Sequence, residues 1–340
     1  MRLENQGERV ADQPASRPAP AQGRKLPVLF IHDAAIDDFI ATMLLVAMPN
    51  VDLKGIVITN ADCVPQPGIE AASRLQQFIG RPDIPLGLSE ARGWNSFPWK
   101  YREDSVRFGK LPTLQPYPSA VPTPPPSGNE LVAQLLQQAV ATGNRLVVLL
   151  TTGFTPLTDV LRAQPHLAAG ISRLAWMGGA INVPGNLDPD TISKAVANSH
   201  AEWNVFWDPF AAQHGLDMVS EIHDFPLDIT NSVPVAKPFM ARLQAQGKQY
   251  SFSQLAFDAY SLVSDEPFYD MWDVCTTVFL ARPDLYTAPQ QMQLGVVQWG
   301  FEQGWLRQTA GARNTQHVYL GFSNLGGFYD YVATQLARSA

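Results

Sequence analysis

The chain has 340 residues, 46% of them hydrophobic and 10% aromatic, and a formal net charge of −7. This apolar content is enough to offset the entropy of ordering a globular core. With no block of Lys or Arg, a nucleic-acid backbone is excluded as the expected partner, because binding phosphates needs a clustered basic surface.

Residues 1–24, "MRLENQGERVADQPASRPAPAQGR", are polar and proline-rich, offer little to bury, and read as a disordered arm. They lack the apolar middle of a signal peptide, and no stretch of the chain approaches the roughly 20 apolar residues of a membrane span, so a cytoplasmic protein is expected. Cys63 and Cys275 are too few for a disulfide framework or a thiolate metal site, although one bridge stays open.

From residue 25 to 340 a single domain is expected, in which short β-rich runs alternate with amphipathic segments. That is the pattern of an open, mostly parallel α/β sheet flanked by helices. "LPVLFI" leads into a helix over about 37–48, and "VDLKGIVIT" into one over about 67–78. Residues 89–128 break the rhythm with "GWNSFPWKYR" and "LQPYPSAVPTPPPSG", which read as a proline-rich surface insertion or lid, since proline does not serve helix interiors or central strands. "RLVVLL" then precedes a helix near 155, and "ISRLAWM" precedes a long loop and "AEWNVFWDPFAAQHG". After 225 the chain turns more helical, over about 236–246, 250–263 and 273–282. It ends in strands near 293–297 and 317–322 and a helix from about 324.

In a parallel sheet, ligands bind beyond the carboxyl ends of the strands. The first such end carries Asp33, Asp37 and Asp38 within "VLFIHDAAIDDFIATMLL". Taken alone, Asp33 also suits a turn or cap, and Asp37 and Asp38 suit a helix N-terminus. Three clustered carboxylates repel one another unless a cation or hydrogen-bond donors hold them, and hard oxygen ligands suit Ca²⁺ or Mg²⁺. Further polar candidates stand at other strand ends, in "TNADC", "TTGFTPLTDV", "WMGGAINVPGN", "AEWN" and "YDMWD".

In this order and spacing the set resembles the calcium-dependent nucleoside hydrolases, the inosine-uridine-preferring nucleoside N-ribohydrolase family, from Leu26 onward. The resemblance implies a Ca²⁺ ion held by Asp33, Asp38, Asp273 and the main-chain carbonyl of Thr152, with Asp33 also the general base on the attacking water. It implies that Asp37, Asn186, Glu202 and Asn204 hold the ribose hydroxyls, that Met177 lies beneath the sugar, and that Asp62 lies near the nucleobase. Trp272 stands where many relatives carry His and the purine-specific inosine-adenosine-guanosine branch carries Trp, so purine ribonucleosides are the expected substrates. Trp99 and Tyr101 compete to stack on the other face of the base. A broad or pyrimidine-preferring hydrolase, and a nucleoside- or ribose-binding protein without turnover, are the alternatives. A homodimer or homotetramer is implied by the family alone. Two positions depart from the family pattern: Ile31 replaces the first aspartate of the opening motif, and Ala34-Ala35 replaces the usual Pro-Gly or Gly-Asn.

Overall fold

A computed structural model describes residues 25–187, 198–266 and 269–339; the expected arm at 1–24 lies outside the described residues. The strands are β1 Leu26–His32, β2 Val51–Ile58, β3 Leu86–Leu88, β4 Leu146–Thr151, β5 Ile171–Met177, β6 Ile222–Phe225, β7 Gln290–Met292, β8 Leu294–Val296, β9 Leu306–Gln308 and β10 Gln316–Val318. The helices are α1 Ile36–Ala47, α2 Pro65–Phe78, α3 Trp99–Arg102, α4 Asp104–Gly109, α5 Gly128–Thr142, α6 Thr155–Ala163, α7 Trp203–Trp207, α8 Pro209–Met218, α9 Leu227–Thr230, α10 Lys237–Gly247, α11 Ser251–Ser261, α12 Trp272–Phe279 and α13 Leu325–Leu336. Among the described residues no helix is long and apolar enough to cross a membrane.

One sheet runs in the order β3-β2-β1-β4-β5-β6-β10-β7, parallel throughout except for the antiparallel edge strand β7. The chain winds outward from β1 to β3 and then returns to place β4 on the other side of β1. That reversal opens a crevice at the carboxyl ends of β1 and β4, the topological switch point where such sheets take their ligands. Strand alternation feeds two cores. Val28 and Phe30 face one built with α1, α2, α11, α12 and α13, and Leu29 and Ile31 face another built with α5, α6 and α8. Covered on both faces, β4 is buried along its whole length, which is why it reads as a continuous apolar run. Ile31 sits in the second core at 0% exposure, so the apolar side chain at this departure packs as part of the fold.

Two expectations are adjusted by the fold, and one helix is added to them. Helix α5 was hidden beside the proline-rich run, yet Val132, Leu136 and Ala139 form a buried stripe at helical spacing, opened by the Ser127 cap on Glu130 N–H (3.3 Å). The 89–128 segment is more than a surface insertion. It carries α3 and α4, and Phe108, Leu111 and Leu114 enter the first core, with Phe108 stacked on Phe39 at 3.9 Å between ring centroids. The strand expected near 293–297 is β8, which pairs with β9 in a separate two-stranded sheet rather than joining the main one. Strands β3, β6, β7 and β9 escaped notice because runs of three or four residues carry too little periodicity to register.

Candidate active site

At the end of β1 the backbone turns sharply. Ala34 adopts a left-handed φ of 62°, which costs a residue with a Cβ about 1–2 kcal/mol. This turn delivers Asp33 to the crevice and starts α1 with Asp37 and Asp38 in its first turn. Asp38 accepts the Ala35 N–H (3.1 Å) and the Thr151 hydroxyl (2.6 Å), and Asp33 accepts the Thr152 hydroxyl (3.0 Å). Asp37 accepts the Asp273 N–H (2.8 Å), from the first turn of α12, and the Tyr269 hydroxyl (3.2 Å). The end of β1 and helices α1 and α12 thus bring four buried carboxylates into one cluster, tied to the end of β4 by its two threonines.

Burial and mutual repulsion push Asp33 and Asp273 well above the usual carboxylate range and Asp37 to about 7, and burial lifts Asp38 to about 6 against the hydrogen bonds that it accepts. His32, fully buried beneath them, does not offset the charge. Burial pulls its imidazole down to about 3, and its Nδ1 accepts the Ala34 N–H (3.1 Å), so the 3.5 Å approach to Asp38 is not an ion pair. A cluster with its donors satisfied on one side and its charge uncompensated fits a hard divalent cation, and all its ligand atoms are oxygens of the kind that Ca²⁺ and Mg²⁺ take. The Thr152 carbonyl, a further oxygen, accepts a long hydrogen bond from the Trp176 indole (3.4 Å).

The facing wall is built after β5. Gly179, at φ 84°, donates its N–H to Glu202 Oε2 (2.8 Å), and Glu202 also caps α7 by accepting the N–H groups of Asn204 (2.8 Å) and Val205 (3.3 Å). Burial is the larger effect even so, and lifts the Glu202 carboxyl to about 7. Asn204 is oriented by its Nδ2, which donates to the Met177 carbonyl (3.1 Å) and approaches its sulfur (3.2 Å). Asn186 accepts the Trp203 N–H with Oδ1 (3.1 Å).

Between the walls lies a cavity of about 640 Å³, lined by Asp33, Asp37, Asp62, Tyr101, Met177, Asn186, Glu202, Asn204, Trp272 and Asp273 among others. Asp38 and Thr152 stand behind this surface, joined to it through the hydrogen bonds above. Asp62 Oδ1 is buried without a hydrogen-bond partner among the described residues, and burial together with nearby Asp33 raises its carboxyl well above the usual range. Of the two aromatic candidates in the 89–128 segment, Tyr101 lines the cavity. Trp99 does not: it is 68% exposed and lies under the Arg102 guanidinium (4.7 Å). Several lining residues carry no role in the sequence analysis, notably Phe97, Trp203, Tyr269 and Thr151. Tyr269 and Thr151 open the motifs "YDMWD" and "TTGFTPLTDV", but the bonds that give them a role cross 232 and 113 positions of sequence.

Residues 28–321 match the family model described as inosine-uridine preferring nucleoside hydrolase. A pyrimidine-specific ribonucleoside hydrolase, RihA of Salmonella agona, is 28% identical over 300 residues, covering 82% of this chain and 87% of the relative. The RihA of Klebsiella pneumoniae strain 342 is 26% identical over 280 residues, with 77% and 81% covered. Among solved structures, an inosine-uridine preferring nucleoside hydrolase from Bacillus anthracis superposes with a TM-score of 0.81 at 29% identity, covering 92% of this chain and 99% of that one. The purine-preferring ribonucleoside hydrolase of Gardnerella vaginalis shares the fold, with a TM-score of 0.74 at 16% identity over 92% and 98% of the two chains. The chain belongs to the inosine-uridine preferring nucleoside hydrolase family and is accordingly an enzyme acting on N-glycosyl compounds.

Proposed function

We propose that this enzyme hydrolyses purine ribonucleosides to ribose and free base, at the cavity where Asp33, Asp37 and Asp273 face Asn186, Glu202 and Asn204. The observation that carries this reading is that one cavity joins a buried carboxylate cluster to a polar wall whose side chains are fixed by backbone hydrogen bonds. Asp33, Asp38 and Asp273, with the Thr152 carbonyl, would hold Ca²⁺. Bound there, the ion would supply Lewis-acid stabilisation and orient the attacking water.

Asp33 accepts the proton of the water that adds to the anomeric carbon as the bond to the base breaks. The sugar passes through an oxocarbenium-like state, which favours nearby negative charge and a fixed ring. Asp37, Asn186, Glu202 and Asn204 hold the ribose hydroxyls, with Met177 beneath the sugar. A 2′-deoxynucleoside, which leaves one of these buried groups unpaired, is a poor substrate. Trp272 and Tyr101 flank the base with Asp62 near it, and the departing base takes its proton from solvent, helped by stacking that favours its cationic form.

The purine preference rests on Trp272, whose ring stands 4.9 Å from Tyr269 at the cavity wall. A second reading, a pyrimidine preference, is favoured by the relatives described as pyrimidine-specific at 26–28% identity. Ribose release from inosine, guanosine, uridine and cytidine, measured with Ca²⁺ and after chelation, tests both. Inosine is expected to exceed uridine in kcat/KM; the reverse order establishes the second reading. Turnover that survives chelation overturns the metal assignment, and no ribose from any of the four overturns the function.

A further inference from the structure

We propose that Glu221, His223 and His317 form a second metal site, for a first-row transition ion such as Zn²⁺, which clips strand β10 to strand β6. The parallel register sets His317 directly opposite His223 on the neighbouring strand, and Glu221 immediately precedes β6. The site lies at the start of β6, whereas the carboxylate cluster lies beyond the ends of β1 and β4.

One ligand atom from each of the three side chains falls within 4.8 Å of the others. Both imidazole Nε2 atoms converge on Glu221 Oε1, at 3.1 Å from His223 and 3.2 Å from His317. Two ligands on tetrahedral zinc, each about 2.0–2.1 Å from the metal, lie roughly 3.3 Å apart, so the carboxylate-to-imidazole spacings already match. The two rings stack with centroids 4.9 Å apart and 10° between planes, so binding one ion turns the two side chains until both Nε2 lone pairs meet on it.

Each outer nitrogen has a polar side chain within hydrogen-bond reach, as ligating histidines use. His223 Nδ1 meets the Tyr319 hydroxyl at 3.1 Å, and His317 Nδ1 meets the Gln291 side-chain amide at 2.7 Å. With both Nδ1 atoms protonated, the Tyr319 oxygen and the Gln291 amide oxygen accept, the latter after a half-turn of the amide. Glu221 is 46% exposed and His317 29%, so solvent completes the shell and the ion has an entry path. Arg173, stacked on Phe279 at 5.8 Å, stands near Glu221 and tempers the affinity. Two imidazoles and one carboxylate suit zinc, copper or nickel far better than Ca²⁺.

The place of the site gives it a consequence. Strands β6 and β10 share only two register pairs, His317 with His223 and Val318 with Asp224, the shortest parallel seam in the sheet. An ion bound to both strands closes that seam and stabilises the native state by mass action.

The test is Zn²⁺ titration of the full chain, free of any histidine tag, in excess Ca²⁺, followed by a competing chelating dye and by the melting temperature. One Zn²⁺ is expected to bind with a rise in Tm, and zinc X-ray absorption is expected to show two imidazole nitrogens. His317→Ala and Glu221→Gln are each expected to weaken Zn²⁺ binding at least about tenfold and Tyr319→Phe by roughly 10–100-fold, with nucleoside hydrolysis in Ca²⁺ unchanged in all three. Zn²⁺ affinity and Tm shift that are the same in His317→Ala and Glu221→Gln as in the parent overturn the proposal, as does the absence of imidazole in the absorption spectrum.

Discussion

The two ends of the cavity are held by different forces. At one end Asp33, Asp37, Asp38 and Asp273 are fixed by donors from strand ends and helix starts: Thr151, Thr152, Tyr269 and the Asp273 N–H. At the other, Tyr101 and Phe97 arrive on the 89–128 segment, which is anchored by apolar packing, Phe108 on Phe39 and Phe97 against Trp203 at 4.8 Å. Directional bonds on rigid elements suit groups that must meet reacting atoms within a fraction of an ångström. Packed aromatic side chains on a connecting segment suit recognition of a flat base, where sliding costs little. The carboxylate end should therefore control turnover, and the aromatic end should control the choice of base.

The largest expected effect tests the first half of that contrast. Asp33→Ala should lower kcat by about 10²–10⁴-fold, the range for loss of a general base, and should do so equally for inosine and uridine. A loss confined to one base would assign Asp33 to recognition and break the contrast. Next in size is the pH response of the chelated protein. The folded state raises the carboxyls of Asp33, Asp37, Asp38 and Asp273, so in the window from about 4 to 7 the native state binds more protons than the unfolded chain. Its Tm should accordingly fall as pH rises through that window, and Ca²⁺ should reverse the fall. A flat profile would mean that the cluster carries no uncompensated charge.

Smaller effects sharpen the second half. Trp272→Ala should change the inosine-to-uridine ratio of kcat/KM by about 2–10-fold, the worth of an aromatic contact, while Trp99→Ala, outside the cavity, should leave the ratio unchanged. Equal shifts from both would place Trp99 at the base after all. The least change is expected from Ala34→Gly, which relieves the left-handed turn and should raise the unfolding free energy by about 1 kcal/mol in a denaturant titration. Any loss of activity there would show that the rigidity of this turn aims Asp33.

Much of the candidate site was legible because its residues sit where an apolar strand run stops: Asp33 after "LPVLFI", Thr152 after "RLVVLL" and Met177 at the end of "ISRLAWM". Chain position there translates directly into position at one edge of the sheet. The choice between Trp99 and Tyr101 was not legible, because two residues apart on a single helical turn they point differently, and only the packing of that turn decides which meets the cavity. Nor was the role of Tyr269, since a hydroxyl bound to Asp37 leaves no periodic trace. The neutrality of His32 was equally hidden: it follows from complete burial, not from its neighbours in sequence.

By itself, then, the sequence determined the alternation of strands and helices, the α/β class, and the acidic cluster at the first strand end. These depend on local periodicity and on residues a few positions apart. The tertiary structure alone decided the strand order that sets β4 beside β1, the return of α12 that binds Asp273 to Asp37 across 236 positions, and the seam that sets His317 against His223. Those depend on which apolar faces bury one another best, and that competition is settled over the whole sheet rather than within any window of the chain.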